Sequence, residues 1–155
     1  MTGPYCDYNL FVRLYIEMPD SEAALIQLAR LRRESDGLLP ITWLHQLEIT
    51  NALQQMVFLA RSGQGGRVTP ELAAVALAKF DEDIATRNGL KRVAIATDDL
   101  LRVTRQLSQR HTAKHGFRAY DVVHVASALL LECDTFWSFD SKASKLAKLE
   151  GLKVL

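Results

Sequence analysis

The chain has 155 residues, 48% of them hydrophobic and 24% charged, with a formal net charge of +1 at pH 7. That length suits one domain with a buried core, so a single domain spanning residues 1–155 is expected. Near-neutral charge excludes a protein that is basic throughout, and attraction for a polyanion must come from local patches.

Short apolar runs alternate with longer helical ones along the chain. Pro4 to Cys6 has the look of a strand ended by Asp7, with Asn9 placed to cap a helix over Leu10–Glu17. Ser21 begins a second helix with Leu25, Leu28 and Leu31 on one stripe. Leu38–Thr42 reads as a strand and Leu44–Arg61 as a long helix. Thr69-Pro70-Glu71 starts the next helix, with Pro70 at its first position, and Asn88-Gly89 stops it beyond Arg87. Val93–Ala96 is expected to be the third strand, with Thr97 capping a helix that fades at Lys114–Gly116. Arg118–Glu132 is apolar nearly all round, as a buried helix is. Thr135–Phe139 follows as a strand, Ser141 as the cap of a last helix ending near Gly151, and Leu152–Leu155 as a fifth strand. Strands separated by helices imply parallel pairing through right-handed crossovers. The expected architecture is a three-layer α/β/α sandwich around a roughly five-stranded parallel sheet.

Cys6 and Cys133 lie far apart and form neither a CxxC pair nor a zinc-type spacing, so a reduced cytoplasmic setting is the simpler expectation. The opening MTGPYCDYNL lacks the basic and apolar regions of a signal peptide. The longest apolar stretch, Val122–Leu131, is interrupted by His124 and Ser127 and reaches about half of the ~20 residues that span a bilayer. No membrane association is expected.

Ligands of open parallel sheets bind at the carboxyl ends of the strands. Asp7 and Asp140 follow the first and fourth strands, although helix capping or a turn would also explain an Asp at either place. Asp121 opens the most apolar helix, where an unpaired carboxylate is costly to bury and the helix dipole favours an anion. Glu48 stands one turn from Leu44 and from Ala52, on the apolar side of its helix or at the edge of that stripe. Four acids that converge require a cation, and oxygen donors suit Mg²⁺ or Mn²⁺ rather than zinc.

These segments resemble the PIN-domain nucleases, especially the VapC-type toxins of toxin–antitoxin systems. The likeness runs through Tyr5-Cys6-Asp7-Tyr8-Asn9, Leu47-Glu48-Ile49-Thr50-Asn51, Arg118-Ala119-Tyr120-Asp121-Val122-Val123-His124 and Phe136-Trp137-Ser138-Phe139-Asp140. No single motif is diagnostic, and the signal is four in order on matching elements. The family usually carries Ser or Thr-Ser where this chain has Tyr8-Asn9. The resemblance implies a PIN fold, dependence on Mg²⁺ or Mn²⁺, endoribonuclease activity, a homodimer and often an antitoxin partner.

On this reading Asp7, Glu48 and Asp121 hold an ion, Asp140 completes the acidic pocket, and Asn9 and Ser138 orient water or a carboxylate. His124 shares the helix face of Asp121 and could contact the site, though a core histidine is the plainer account. Arg118, Arg110 and Lys114 before Asp121, with Lys142 and Lys145 after Asp140, could face RNA phosphates, or form solvated helix faces. Asp98 and Asp99 read as charges at a helix start. Gly63, Gly65 and Gly66 lack the Gly-Lys-Ser/Thr of a phosphate loop. Two rivals stand: a PIN-like module that only binds RNA or protein, and a PIN nuclease that processes RNA without an antitoxin. An aspartyl-phosphate enzyme is disfavoured, because it wants a second Asp where Asn9 stands.

Overall fold

The computed structural model describes residues 3–34 and 37–155; Met1 and Thr2, which open the segment read for a leader, lie outside them. The elements run β1 (Pro4–Cys6), α1 (Tyr8–Tyr15), α2 (Ser21–Glu34), β2 (Leu39–Ile41), α3 (Trp43–Arg61), α4 (Pro70–Ala85), β3 (Leu90–Arg92), α5 (Thr97–His115), α6 (Ala119–Leu130), β4 (Thr135–Trp137), α7 (Ser141–Leu149) and β5 (Lys153–Val154). The architecture is mixed α/β and mostly helical. Two compact units divide it, Met1–Asp7 with Val93–Leu155, and Tyr8–Arg92.

All strand pairing among the described residues is parallel, as expected. It is organised as two ladders, β1-β4-β5 and β2-β3, in place of one five-stranded sheet. The strands are two or three residues long, and chain events at their ends set those lengths. The third strand is Leu90–Arg92, not Val93–Ala96. Its partner β2 ends at Ile41, opposite Arg92, because Thr42 is already the N-cap of α3. Among the described residues, those just beyond Arg92 have no continuation of β2 to pair with. Phe139 falls outside β4 for the same reason: the register stops at Cys6 opposite Trp137.

Several helix ends follow local chemistry. The Thr69 hydroxyl accepts from Leu72 N at 3.1 Å, with Pro70 in the first turn of α4. Gly116 closes α5 in the left-handed region at φ 68°, the conformation that glycine adopts without a Cβ penalty. Three caps differ from expectation. α1 begins at Tyr8, so Asn9 lies inside the helix and does not cap it. Thr97 is the first residue of α5, behind an Ala96 N-cap. Asp140, not Ser141, caps α7, accepting from Lys142 N at 2.8 Å and Ala143 N at 3.5 Å.

In the first unit the core gathers Tyr5, Phe117, Val122, Val125, Phe136 and Leu146 between the three-stranded ladder and helices α5 to α7. Tyr5 and Phe136, opposite each other in the register, stack with centroids 5.7 Å apart. In the second unit Phe11 meets His45 and Phe80 edge-on or tilted, and Tyr15 meets Phe80 edge-on. There the carboxylate of Asp83 is buried and takes hydrogen bonds from Tyr15 (2.8 Å) and Asn88 (2.9 Å), with Lys79 Nζ at 3.1 Å. Among the described residues no helix is long and apolar enough to cross a membrane.

Candidate active site

The parallel register of β1 and β4 sets Cys6 opposite Trp137, so the residues that follow them emerge together at the carboxyl edge of the ladder. Those residues are Asp7 and Ser138. Asp7 N donates to Trp137 O at 3.1 Å, which carries the pairing one step beyond the strand. The Asp7 carboxylate is buried, 3% exposed, and Ser138 Oγ donates to its Oδ2. The same hydroxyl accepts from Asp140 N at 2.8 Å. The neighbouring Cys6 thiol is held well above its usual range, first by burial and then by the charge of Asp7.

Asp121 reaches this region through Arg118. As the third residue of α6, Asp121 turns its Oδ2 back to accept from the backbone N–H of Arg118 at 3.0 Å, which anchors the carboxylate at the helix start. The Arg118 guanidinium covers the rest. Its Nε lies 3.2 Å from Asp121 Oδ2, its Nη2 lies 3.2 Å from Asp121 Oδ1, and the same Nη2 donates to Asp140 Oδ2. One nitrogen therefore stands between an oxygen of Asp121 and an oxygen of Asp140. The side chain of Arg118 is 65% exposed, and that of Asp121 is 8% exposed.

Three of the four sequence-assigned acids, with Ser138 and Arg118, thus form one connected polar chain in the first unit: Asp7, Ser138, Asp140, Arg118, Asp121. Glu48 and Asn9 belong to the second unit. Glu48 is half-buried in α3 beside the buried Ile49, and Asn9 is half-buried in α1, where its carbonyl accepts from Arg13 at 3.0 Å. His124 is a core residue, 3% exposed, with Nδ1 2.9 Å from the Tyr5 hydroxyl.

The basic residues flank the chain of acids unevenly. Lys142 Nζ sits on the Gly116 carbonyl at 3.2 Å, and Arg110 pairs with Glu150 at 2.8 Å. Lys114 and Lys145 are exposed, and both hold the His115 imidazole below its ordinary value, after a larger effect of burial. The sequence offers Arg118 as a contact for RNA phosphates or as part of a solvated helix face, and in the structure it pairs with Asp121 and Asp140. The spacing Arg118-x-x-Asp121 signals a helical i,i+3 pair, but nothing local signals Asp140.

Carboxylate and hydroxyl oxygens are the donors that Mg²⁺ or Mn²⁺ prefers, so the residue types fit such an ion. Among the described residues no three His, Cys, Asp or Glu side chains are grouped so as to hold a metal. In the arrangement described, the guanidinium of Arg118 supplies the positive charge between Asp121 and Asp140.

No family model matches the chain, and no curated protein matches it. Its fold is shared with a solved structure. The chain is similar to the crystal structure of FitAcB from Neisseria gonorrhoeae, with a TM-score of 0.65 and 13% identity over 98% of this chain and 96% of that one. At this identity the likeness speaks to the fold.

Proposed function

We propose that the chain is a Mg²⁺- or Mn²⁺-dependent endoribonuclease of PIN type, serving as the toxin of a toxin–antitoxin pair. The observation that carries this reading is the connected chain of Asp7, Ser138, Asp140, Arg118 and Asp121 at the carboxyl edge of a parallel ladder, built from three of the four motif segments. The whole-chain likeness to FitAcB supports a shared mixed α/β fold. A PIN-type three-layer sandwich, a homodimer, an antitoxin partner and a cytoplasmic location belong to the same proposal and rest on the resemblance of the motifs.

Asp121 and Asp140, which meet at one nitrogen of Arg118, would hold the ion, with Asp7 and Glu48 as the other two acids that the motifs assign. The ion, when bound, supplies a water of lowered pKa and charge stabilisation at the scissile phosphate. The chain's own residues prepare for that. Ser138 fixes Asp7 and is in turn tied to the backbone of Asp140. Backbone N–H groups fix Asp121 and Asp140 at two helix starts. Asn9 and His124 are proposed only as supports of this machinery. Arg110, Lys114, Lys142 and Lys145, with Arg118, are the cations available to an RNA backbone.

A second reading has an observation in its favour. Because no three-ligand group is formed among the described residues, a PIN-like module that binds RNA or protein without cutting also accounts for the acids. An RNA-cleavage assay separates the two. Wild type should cut with Mg²⁺ or Mn²⁺ and stop with EDTA, and Asp121→Asn should lose a hundredfold or more, roughly the scale for removing one electrostatic stabiliser. Cleavage that survives EDTA, or a fully active variant, rejects the metal nuclease; no cleavage of any RNA favours the binding module.

A further inference from the structure

We propose that Arg118 is an exchangeable internal cation, which neutralises Asp121 and Asp140 in the metal-free protein and gives up its place when a divalent ion binds. The inference rests on the metal-nuclease reading and adds a competitor within the chain.

Each of the two carboxylates is held in two ways. Asp121 Oδ2 is anchored by the backbone N–H of Arg118, and Asp140 Oδ1 by the backbone N–H of Lys142. The remaining oxygens, Asp121 Oδ1 and Asp140 Oδ2, both meet Nη2 of Arg118. Withdrawing the guanidinium would leave both acids oriented by main chain, with one oxygen of each turned to the position that Nη2 held.

The guanidinium is also the group best able to leave. Its side chain is 65% exposed, so water can replace its hydrogen bonds at small cost. Two carboxylates facing one another without a cation repel. A cation is therefore demanded at that point, and either Arg118 or a divalent ion can meet the demand. The doubly charged ion, bound by hard oxygens, is the stronger partner once it is present at sufficient concentration.

Calorimetric titration of the full chain with Mn²⁺ tests this. Arg118→Gln keeps the backbone anchor on Asp121 and removes the competing charge, so it should bind Mn²⁺ about threefold tighter or more, in keeping with an exposed ion pair. Binding by wild type with equal or weaker binding by Arg118→Gln overturns the exchange and leaves the metal-nuclease reading standing. Failure of both proteins to bind Mn²⁺ at millimolar concentration overturns both. The wild-type protein supplies an independent measurement. The Arg118 Nε–Hε resonance should shift toward the position of a solvated arginine as Mg²⁺ is added, and an unmoved resonance at saturating Mg²⁺ also rejects the exchange.

Discussion

Ser138 Oγ donates to the buried carboxylate of Asp7 and accepts the backbone N–H of Asp140, so one hydroxyl ties together the two acids that follow β1 and β4. Ser138→Ala would remove both bonds while leaving β4 and its packing intact. Partners that orient a site carboxylate typically matter by 10–100-fold. On the proposed nuclease reading, Ser138→Ala is therefore expected to cut RNA about tenfold more slowly at saturating Mg²⁺, and Ser138→Thr to recover most of the loss. An alanine variant with wild-type turnover would show that Asp7 needs no support from the Ser138 hydroxyl.

Tyr5 and His124 link β1 to α6 inside the core, by a 2.9 Å hydrogen bond and an edge-on ring contact. Tyr5→Phe keeps the stacking on Phe136 and removes only the hydroxyl. The buried hydrogen bond to His124 Nδ1 is then lost, a change that costs about 0.5–1.5 kcal/mol. Urea denaturation should register this as a lower midpoint with an unchanged slope. A variant as stable as wild type would mean that the hydroxyl contributes no net stability to the β1–α6 link.

How far the fold could be read from residues depended on how local each determinant is. Thr69-Pro70 and Gly116 mark helix ends through their own backbone and side-chain chemistry, and they stand where the sequence put them. Val93–Ala96 has strand composition, yet a strand exists only against a partner, and β2 has ended by then. That length is decided by Thr42, some fifty residues earlier in the chain. The site divides the same way. The places of Asp7 after β1, Asp140 after β4 and Asp121 at the start of an apolar helix are legible, because short apolar runs and a helix start mark them locally. The bond from Arg118 to Asp140 and the pair Tyr5–His124 join residues 22 and 119 positions apart, and no spacing rule reaches so far. The assignment of Asn9 as a cap failed by a shift of the helix start to Tyr8, an end effect of one or two residues.

Gly116 isolates one backbone cost. It is the αL residue that ends α5, two positions before Arg118, and a Cβ added there would meet nothing within 4 Å. Gly116→Ala should destabilise by about 1–2 kcal/mol through conformation alone, since an L-residue is penalised by that amount in the left-handed region. Thermal unfolding measures it. Gly116→Asn should recover part of the loss, because asparagine tolerates this conformation better. Equal midpoints for all three would mean that the turn relaxes out of the left-handed region.

Stability should fall at both pH extremes, with Tyr15 and Asp83 contributing one side each. For Asp83 burial pushes the carboxyl up, but hydrogen bonds from Asn88, Tyr15 and Lys79 outweigh it and leave it below the ordinary 3.8. Glu150 behaves alike: burial raises it, and hydrogen bonds from His111 and Arg110 bring it below the ordinary 4.5. A carboxyl whose folded value is depressed binds fewer protons folded than unfolded. Its stabilisation is present above the unfolded value and is lost as pH falls through the folded one. The acid limb should thus begin near pH 4.5 and steepen below 3.8. Tyr15 has the opposite sign. Burial first, then its hydrogen bond to Asp83 and that residue's charge, raise its hydroxyl well above 10, against a lowering by Arg32. The folded state holds that proton more tightly, so this contribution is present below pH 10 and is lost as pH rises beyond it. Tyr15→Phe should cost about 1 kcal/mol at neutral pH. It should also make the urea midpoint fall less between pH 9 and 11 than in wild type, approximate bounds set around the ordinary tyrosine value. If both proteins lose the same stability over that interval, the alkaline limb does not come from Tyr15.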